Sequence, residues 1–97
     1  MRQRQPAVYI LASRRNGTLY IGVTSNLPQR VWQHRTGVVP GFTKRYGCKT
    51  LVWCELHSTM LDAIAREKQL KGGSRKKKLD LIETANPDWR DLYEELI

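Results

Sequence analysis

Residues 7–24 constrain this chain more than any other stretch. They read Ala7-Val8-Tyr9-Ile10-Leu11-Ala12, then Ser13-Arg14-Arg15-Asn16-Gly17, then Thr18-Leu19-Tyr20-Ile21-Gly22-Val23-Thr24. Two β-prone apolar runs around an Asn-Gly dipeptide predict an antiparallel hairpin. With Asn16 and Gly17 as a two-residue turn, Arg15 opposes Thr18, Ala12 opposes Ile21 and Ile10 opposes Val23. Side chains alternate across a strand, so Ile10, Ala12, Ile21 and Val23 form one apolar face. Tyr9, Leu11, Ser13, Tyr20, Gly22 and Thr24 fall on the other. In this register the two tyrosines stand about four residues apart, roughly 13 Å at ~3.3 Å per residue, with Gly22 between them. That spacing is a platform with room for a ligand.

The rest of the chain surrounds this hairpin. Ser25 or Asn26 caps a helix with Pro28 in its first turn, and Gly37 stops it after Thr36. Leu27, Arg30, Val31 and His34 share an arc of ~100° on its wheel. A guanidinium among apolar anchors needs an anion, either an acid of the protein or a phosphate. Residues 37–48 carry three glycines and a proline and read as a loop. There Lys44 and Arg45 interleave with Phe42 and Tyr46. The pattern suits phosphate contact and base stacking or, equally, a loop pinned to the core by its aromatics. Thr50–Leu56 is a third strand whose near-continuous apolar run predicts a central, buried place.

A helix opened by Ser58 or by the box-like Thr59-Met60-Leu61-Asp62 runs to Lys71 before Gly72-Gly73. Glu67 projects into its apolar arc with Met60, Ala63, Ile64 and Leu70. An inward carboxylate costs several kcal/mol unless paired or bound to a cation. A metal or an arginine is therefore the expected partner, rather than Lys71 one turn on. Ser74 caps a further helix with Arg75, Lys76, Lys77 and Lys78 at its front. After the Asn86-Pro87 break, residues 88–97 read as a last amphipathic helix. The expected architecture is one α+β domain over 1–97, with a flexible basic N-terminus at 1–6. A small three-stranded antiparallel sheet is flanked by four helices in the order ββαβααα.

Charge narrows the partners. The net charge is +8, but residues 80–97 hold six acids and one base. Residues 1–79 carry 16 bases against 3 acids, a balance of +13, which attracts polyanions and nucleic acid first. Cys48 and Cys54 are too far apart along one extended segment for a disulfide, and no Cys/His spacing suggests zinc. No apolar run approaches membrane-spanning length, and the start lacks an apolar signal core, so a cytoplasmic, membrane-free protein is expected. A monomer is favoured; Trp32, at the back of the first helix, is an interface residue or a surface tryptophan.

Two tyrosines on one sheet face, Arg30 and His34 on the next helix, and an inward Glu67 form an ordered constellation. In this the chain resembles the GIY-YIG nuclease superfamily, and its small stand-alone bacterial members in particular. Ala7-Val8-Tyr9 stands where that family has its first tripeptide, with Ala7 in place of glycine. Tyr20-Ile21-Gly22 matches the second. The resemblance implies metal-dependent hydrolysis of a phosphodiester, in DNA rather than RNA, linked to repair or to a particular DNA structure. It implies one Mg²⁺ or Mn²⁺ held by Glu67 with waters and substrate phosphate. Arg30 would neutralise phosphoryl oxygens, Tyr9 would act as general base with Tyr20 orienting the water or binding phosphate, and His34 would relay the proton. Gly22 and Asn86 are candidate orienting positions. Lys44, Arg45, Tyr46, Lys71, Arg75, Lys76, Lys77 and Lys78 would hold the nucleic acid. A phenol of pKa ~10 is a poor base at neutral pH, so Arg30 or the metal is expected to lower it. The alternative is a nucleic-acid-binding module or docking scaffold that keeps these residues without turnover.

Overall fold

The computed structural model describes residues 4–96. Its elements are β1 (Ala7–Ala12), β2 (Leu19–Thr24), α1 (Leu27–Thr36), α2 (Phe42–Tyr46), β3 (Thr50–Leu56), α3 (Met60–Gly72) and α4 (Arg75–Ala85), closed by a 3-10 turn at Leu92–Glu95. The strands form one antiparallel sheet in the order β2-β1-β3. A three-stranded antiparallel sheet with four α-helices is thus the fold, as expected. One helix is misplaced in the sequence reading. The stretch read as a loop contains α2, and the expected C-terminal helix is reduced to the 3-10 turn, with Ile97 outside the described residues.

The sheet separates two apolar cores. Val8, Ile10, Ala12 and Ile21 pack with Ala63 and Leu70 of α3 and Ile82 of α4. On the opposite face Ala7, Tyr9 and Leu11 pack with Leu27 and Val31 of α1 and with Cys48 and Leu51. Both faces of β1 are covered, so all six of its residues are buried. Full burial of each large side chain contributes about 1.5–3 kcal/mol. The central strand is therefore β1, and β3 lies at the edge, contrary to the reading of its apolar run. That run has another cause. Ile10 pairs with Trp53 and Leu11 with Leu51, so Val52 is an extra residue that joins Trp53 in the α3–α4 core.

The hairpin register also differs. Ile10 pairs with Ile21 and Ala12 with Leu19, two residues away from a two-residue turn. The loop spans four residues instead. Gly17 N donates to Arg14 O at 2.9 Å, Ser13 N donates to Thr18 O at 3.0 Å, and Asn16 takes the left-handed conformation at φ 58°. Ser13 Oγ accepts from Thr18 N at 3.0 Å, and Arg75 donates to the carbonyls of Asn16 and Gly17 at 3.0 and 2.7 Å. These bonds satisfy a wider loop and tie it to the start of α4. A shift of two keeps every side chain on its predicted face. It also halves the separation of the tyrosines along the strands.

Helix ends follow the chemistry of their caps. Asn26 Oδ1 accepts from Gln29 N, Thr59 Oγ1 from Asp62 N and Ser74 Oγ from Lys77 N, each capping bond contributing about 1 kcal/mol. Gly37 closes α1 at φ 76°. Past α4 the chain is held by side chains. Asn86 is buried, its Nδ2 donating to Val52 O and Arg90 O while its Oδ1 accepts from Arg90 N. Asp91 pairs with Arg35 and accepts from the backbone N–H groups of Leu51 and Tyr93. Among the described residues these anchors end just before the 3-10 turn at Leu92–Glu95. At the other end Gln5 and Pro6 are hydrogen-bonded to the body of the domain. Gln5 N donates to Ser25 O, Gln5 Nε2 to His57 O, and His57 N to Pro6 O. Residues 1–3 of the expected flexible terminus lie outside the described residues. Both cysteines are free.

Candidate active site

The site is built around Tyr9, in the middle of β1. It opposes Gly22 of β2, where a Cβ would lie 2.4 Å from both Cζ and Oη of the phenol. Only glycine leaves room for the ring to lie across the neighbouring strand. In that position Tyr9 Oη is 3.1 Å from His34 Nε2 of α1, and His34 Nδ1 is 2.8 Å from Thr43 Oγ1 of α2. Tyr9, His34 and Thr43 are 2%, 3% and 3% exposed, a buried polar relay. Tyr20 lies on the same sheet face, its ring 6.3 Å from Tyr9, 5.4 Å from His34 and 6.1 Å from Phe42. Phe42 in turn lies 4.6 Å from Tyr46, and both are exposed. A row of rings thus leads from the buried phenol to the surface, with Arg45 over the outermost, Tyr46.

Electrostatics set the protonation states. Burial raises the Tyr9 pKa well above the ordinary phenol value, reinforced by Tyr20 and Glu67, while Arg30 pulls in the opposite direction. Arg30 does pull this phenol down, as expected, but desolvation outweighs the one guanidinium. Burial, and then Arg30, lower the pKa of His34. At neutral pH a neutral phenol therefore faces a neutral imidazole. The buried O–H needs an acceptor, and His34 Nε2 is its partner among the described residues.

Glu67 arrives from the other layer, on α3, which packs across β1 and β2. Its side chain is 16% exposed, and its Oε2 lies 3.4 Å from Lys71 Nζ, on a side chain 53% exposed. The one-turn pair set aside on sequence grounds is therefore present. The long stem of Lys71 lets a surface cation reach a half-buried carboxylate. Among the described residues no group of three His, Cys, Asp or Glu gathers as a metal cage. A single carboxylate fits an oxygen-preferring cation that keeps waters and binds phosphate oxygens, as Mg²⁺ does.

Tyr9, Tyr20, Gly22 and His34 are thus brought into contact, and Arg30 and Glu67 lie close enough to act on the Tyr9 phenol. Lys71, Arg75 and Lys78 line a groove of about 370 Å³ with Tyr20 and Phe42. Lys44, Arg45 and Tyr46 line a shallow hollow beside it that also takes in Phe42. The basic run then divides. Lys76 pairs with Asp80 at 3.0 Å, Lys77 lines a cleft with Trp53 and Glu55, and Arg75 is already engaged with the hairpin turn. Asn86 takes no part in the site, since its amide is used to hold Val52 and Arg90. Thr43 was missed. Its signal was indirect: a buried imidazole has two nitrogens, and each needs a partner.

Residues 5–80 match the GIY-YIG catalytic domain. The chain belongs to the GIY-YIG family. Among its relatives, UPF0213 protein SH2523 of Staphylococcus haemolyticus is 37% identical over 76 residues, 78% of this chain and 92% of that protein. UPF0213 protein SSP2268 of Staphylococcus saprophyticus is 35% identical over 75 residues, 77% and 90% of the two chains. The solution NMR structure of UPF0213 protein BH0048 from Bacillus halodurans matches with a TM-score of 0.56 at 26% identity, covering 90% of this chain and 92% of that one. GIY-YIG domains form a nuclease family whose members generally use divalent metal ions. The matched GIY-YIG region ends before Asn86.

Proposed function

We propose that this domain is a metal-dependent endonuclease of DNA, acting in the cytoplasm in repair or on a particular DNA structure. The observation that carries the reading is the buried Tyr9–His34 contact, with Arg30 and Glu67 both acting on the same phenol. Glu67 would hold one Mg²⁺ or Mn²⁺, which supplies Lewis-acid stabilisation of the leaving oxygen and phosphoryl charge when bound. Arg30 neutralises a phosphoryl oxygen by charge-assisted hydrogen bonds. Tyr9 Oη takes a proton from the attacking water while its own proton passes to His34 Nε2. This hand-over avoids a free phenolate, which burial opposes. Tyr20, half-buried beside both groups, orients the water or the phosphate. Phe42, Tyr46, Lys44, Arg45, Lys71 and Lys78 hold the strand by stacking and phosphate contact.

A second reading has its own support. The Lys71–Glu67 pair and the raised phenol also suit a nucleic-acid-binding module that does not turn over. Cleavage of single-stranded, duplex and branched DNA with Mg²⁺, Mn²⁺ or EDTA separates the two. The nuclease reading expects metal-dependent cutting by the wild type that Glu67→Ala and Arg30→Ala abolish while their circular dichroism stays native. Tight, salt-sensitive binding with equal residual cutting in all three proteins establishes the binding module instead.

A further inference from the structure

We propose that Thr43 is a positioning residue that holds His34 in the tautomer protonated on Nδ1, leaving Nε2 bare to take the proton of Tyr9. Its effect on rate rests on the nuclease reading above; the tautomer itself does not. The argument starts from the phenol. Tyr9 is buried, and His34 Nε2, 3.1 Å away, is its partner among the described residues. The O–H therefore donates, and Nε2 accepts. A neutral imidazole carries one N–H, which must then sit on Nδ1 and needs an acceptor of its own. Thr43 Oγ1 lies 2.8 Å from Nδ1, and both residues are 3% exposed, so water does not compete for the position. A free imidazole prefers its proton on Nε2, the arrangement in which Tyr9 has nowhere to send its own. The protein imposes the other one, and Thr43 is the group that does so.

The location of Thr43 adds a second role. It sits in α2 between Phe42 and Lys44, with Arg45 and Tyr46 following. Gly41 and Gly47, both at positive φ, bracket this short helix, and Cys48 N donates to Thr43 O at 2.9 Å. The element that offers exposed rings and cations to the substrate is the one whose buried hydroxyl sets the proton acceptor. Contact of a nucleic-acid strand with α2 is thereby coupled, through one side chain, to the readiness of His34.

The test is ¹⁵N NMR of the metal-free full chain at neutral pH, reading the two ring nitrogens of His34. The chain has two histidines, and His57→Gln assigns the signals. Wild type and Thr43→Ser are expected to show the Nδ1–H pattern. The near-isosteric Thr43→Val is expected to move His34 toward Nε2–H and to slow cleavage roughly 10²-fold, the lower end of what positioned acid–base catalysis contributes. Thr43→Ser is expected to stay within a few-fold of wild type. An Nε2–H pattern in the wild type overturns the proposal. So does a Thr43→Val protein that keeps the Nδ1–H pattern, whatever its rate. If Thr43→Val does not fold, Thr43→Ala takes its place and is judged by the same pattern. A wild type that binds DNA and never cuts it refutes the nuclease reading, while the spectra still decide the role of Thr43.

Discussion

Glycine in a β-strand is ordinarily a weakness, and replacing it with alanine stabilises by about 0.5–1 kcal/mol where the backbone allows it. Gly22→Ala should do the opposite. A methyl group there would stand 2.4 Å from Tyr9 Cζ and Oη, about 1 Å inside van der Waals contact. The phenol is buried and held 3.1 Å from His34, so relief means swinging the ring away and breaking that hydrogen bond. Overpacking of this kind costs about 1–3 kcal/mol, and each kcal/mol lowers Tm by about 4–8 °C in a domain of this size. A displacement near 1 Å at a reacting group also slows cleavage by about 10²-fold. A double-mutant cycle with Tyr9→Ala, followed by urea unfolding, isolates the cause. Once the ring is gone, Gly22→Ala should be neutral or stabilising. Equal destabilisation in both backgrounds would refute the argument, because the clash would not then be with Tyr9.

Three further outcomes follow from the same geometry. Asn86→Ala should cost about 2–4 kcal/mol in urea unfolding, since it strands backbone groups of Val52 and Arg90. The pKa of His34 is lowered by folding, so below the unfolded value of ~6.5 the unfolded chain binds more protons. Stability should therefore fall as pH drops from about 6.5 toward the lower folded value, and His34→Gln should flatten that part of a Tm-against-pH curve. Phe42→Ala and Tyr46→Ala, both on exposed rings, should each weaken binding to single-stranded DNA by about 1–3 kcal/mol in fluorescence titrations while leaving Tm nearly unchanged.

What the sequence disclosed depended on whether the signal was local. Hairpin faces, caps at Asn26, Thr59 and Ser74, and the arc joining Arg30 to His34 are set by near neighbours, and all were legible. The hairpin register was not, because it depends on Ser13 and on Arg75, 59 residues away from Asn16 in the chain. An apolar run could not reveal whether β3 was central or merely bulged, since both place consecutive residues out of water. The closing segment carries helical spacing, but bonds from Asn86 and Asp91 override it. At the site, residue types indicated charge but not dielectric. Arg30 stood near Tyr9 as expected, yet the phenol rises because its burial, a property of the whole fold, outweighs one pair.

The two layers around the sheet also set an order in time. Both tyrosines, Arg30, His34 and Thr43 belong to the first 43 residues, whereas Glu67 comes from α3 on the opposite face. As the chain leaves the ribosome, the aromatic and basic half emerges first. It can attract a polyanion but lacks the carboxylate that the proposed hydrolysis needs. On that mechanism a nascent or truncated chain ending before α3 is harmless to the nucleic acid around it. On the same mechanism, cutting would begin only when translation has supplied the second layer and that layer has closed over β1.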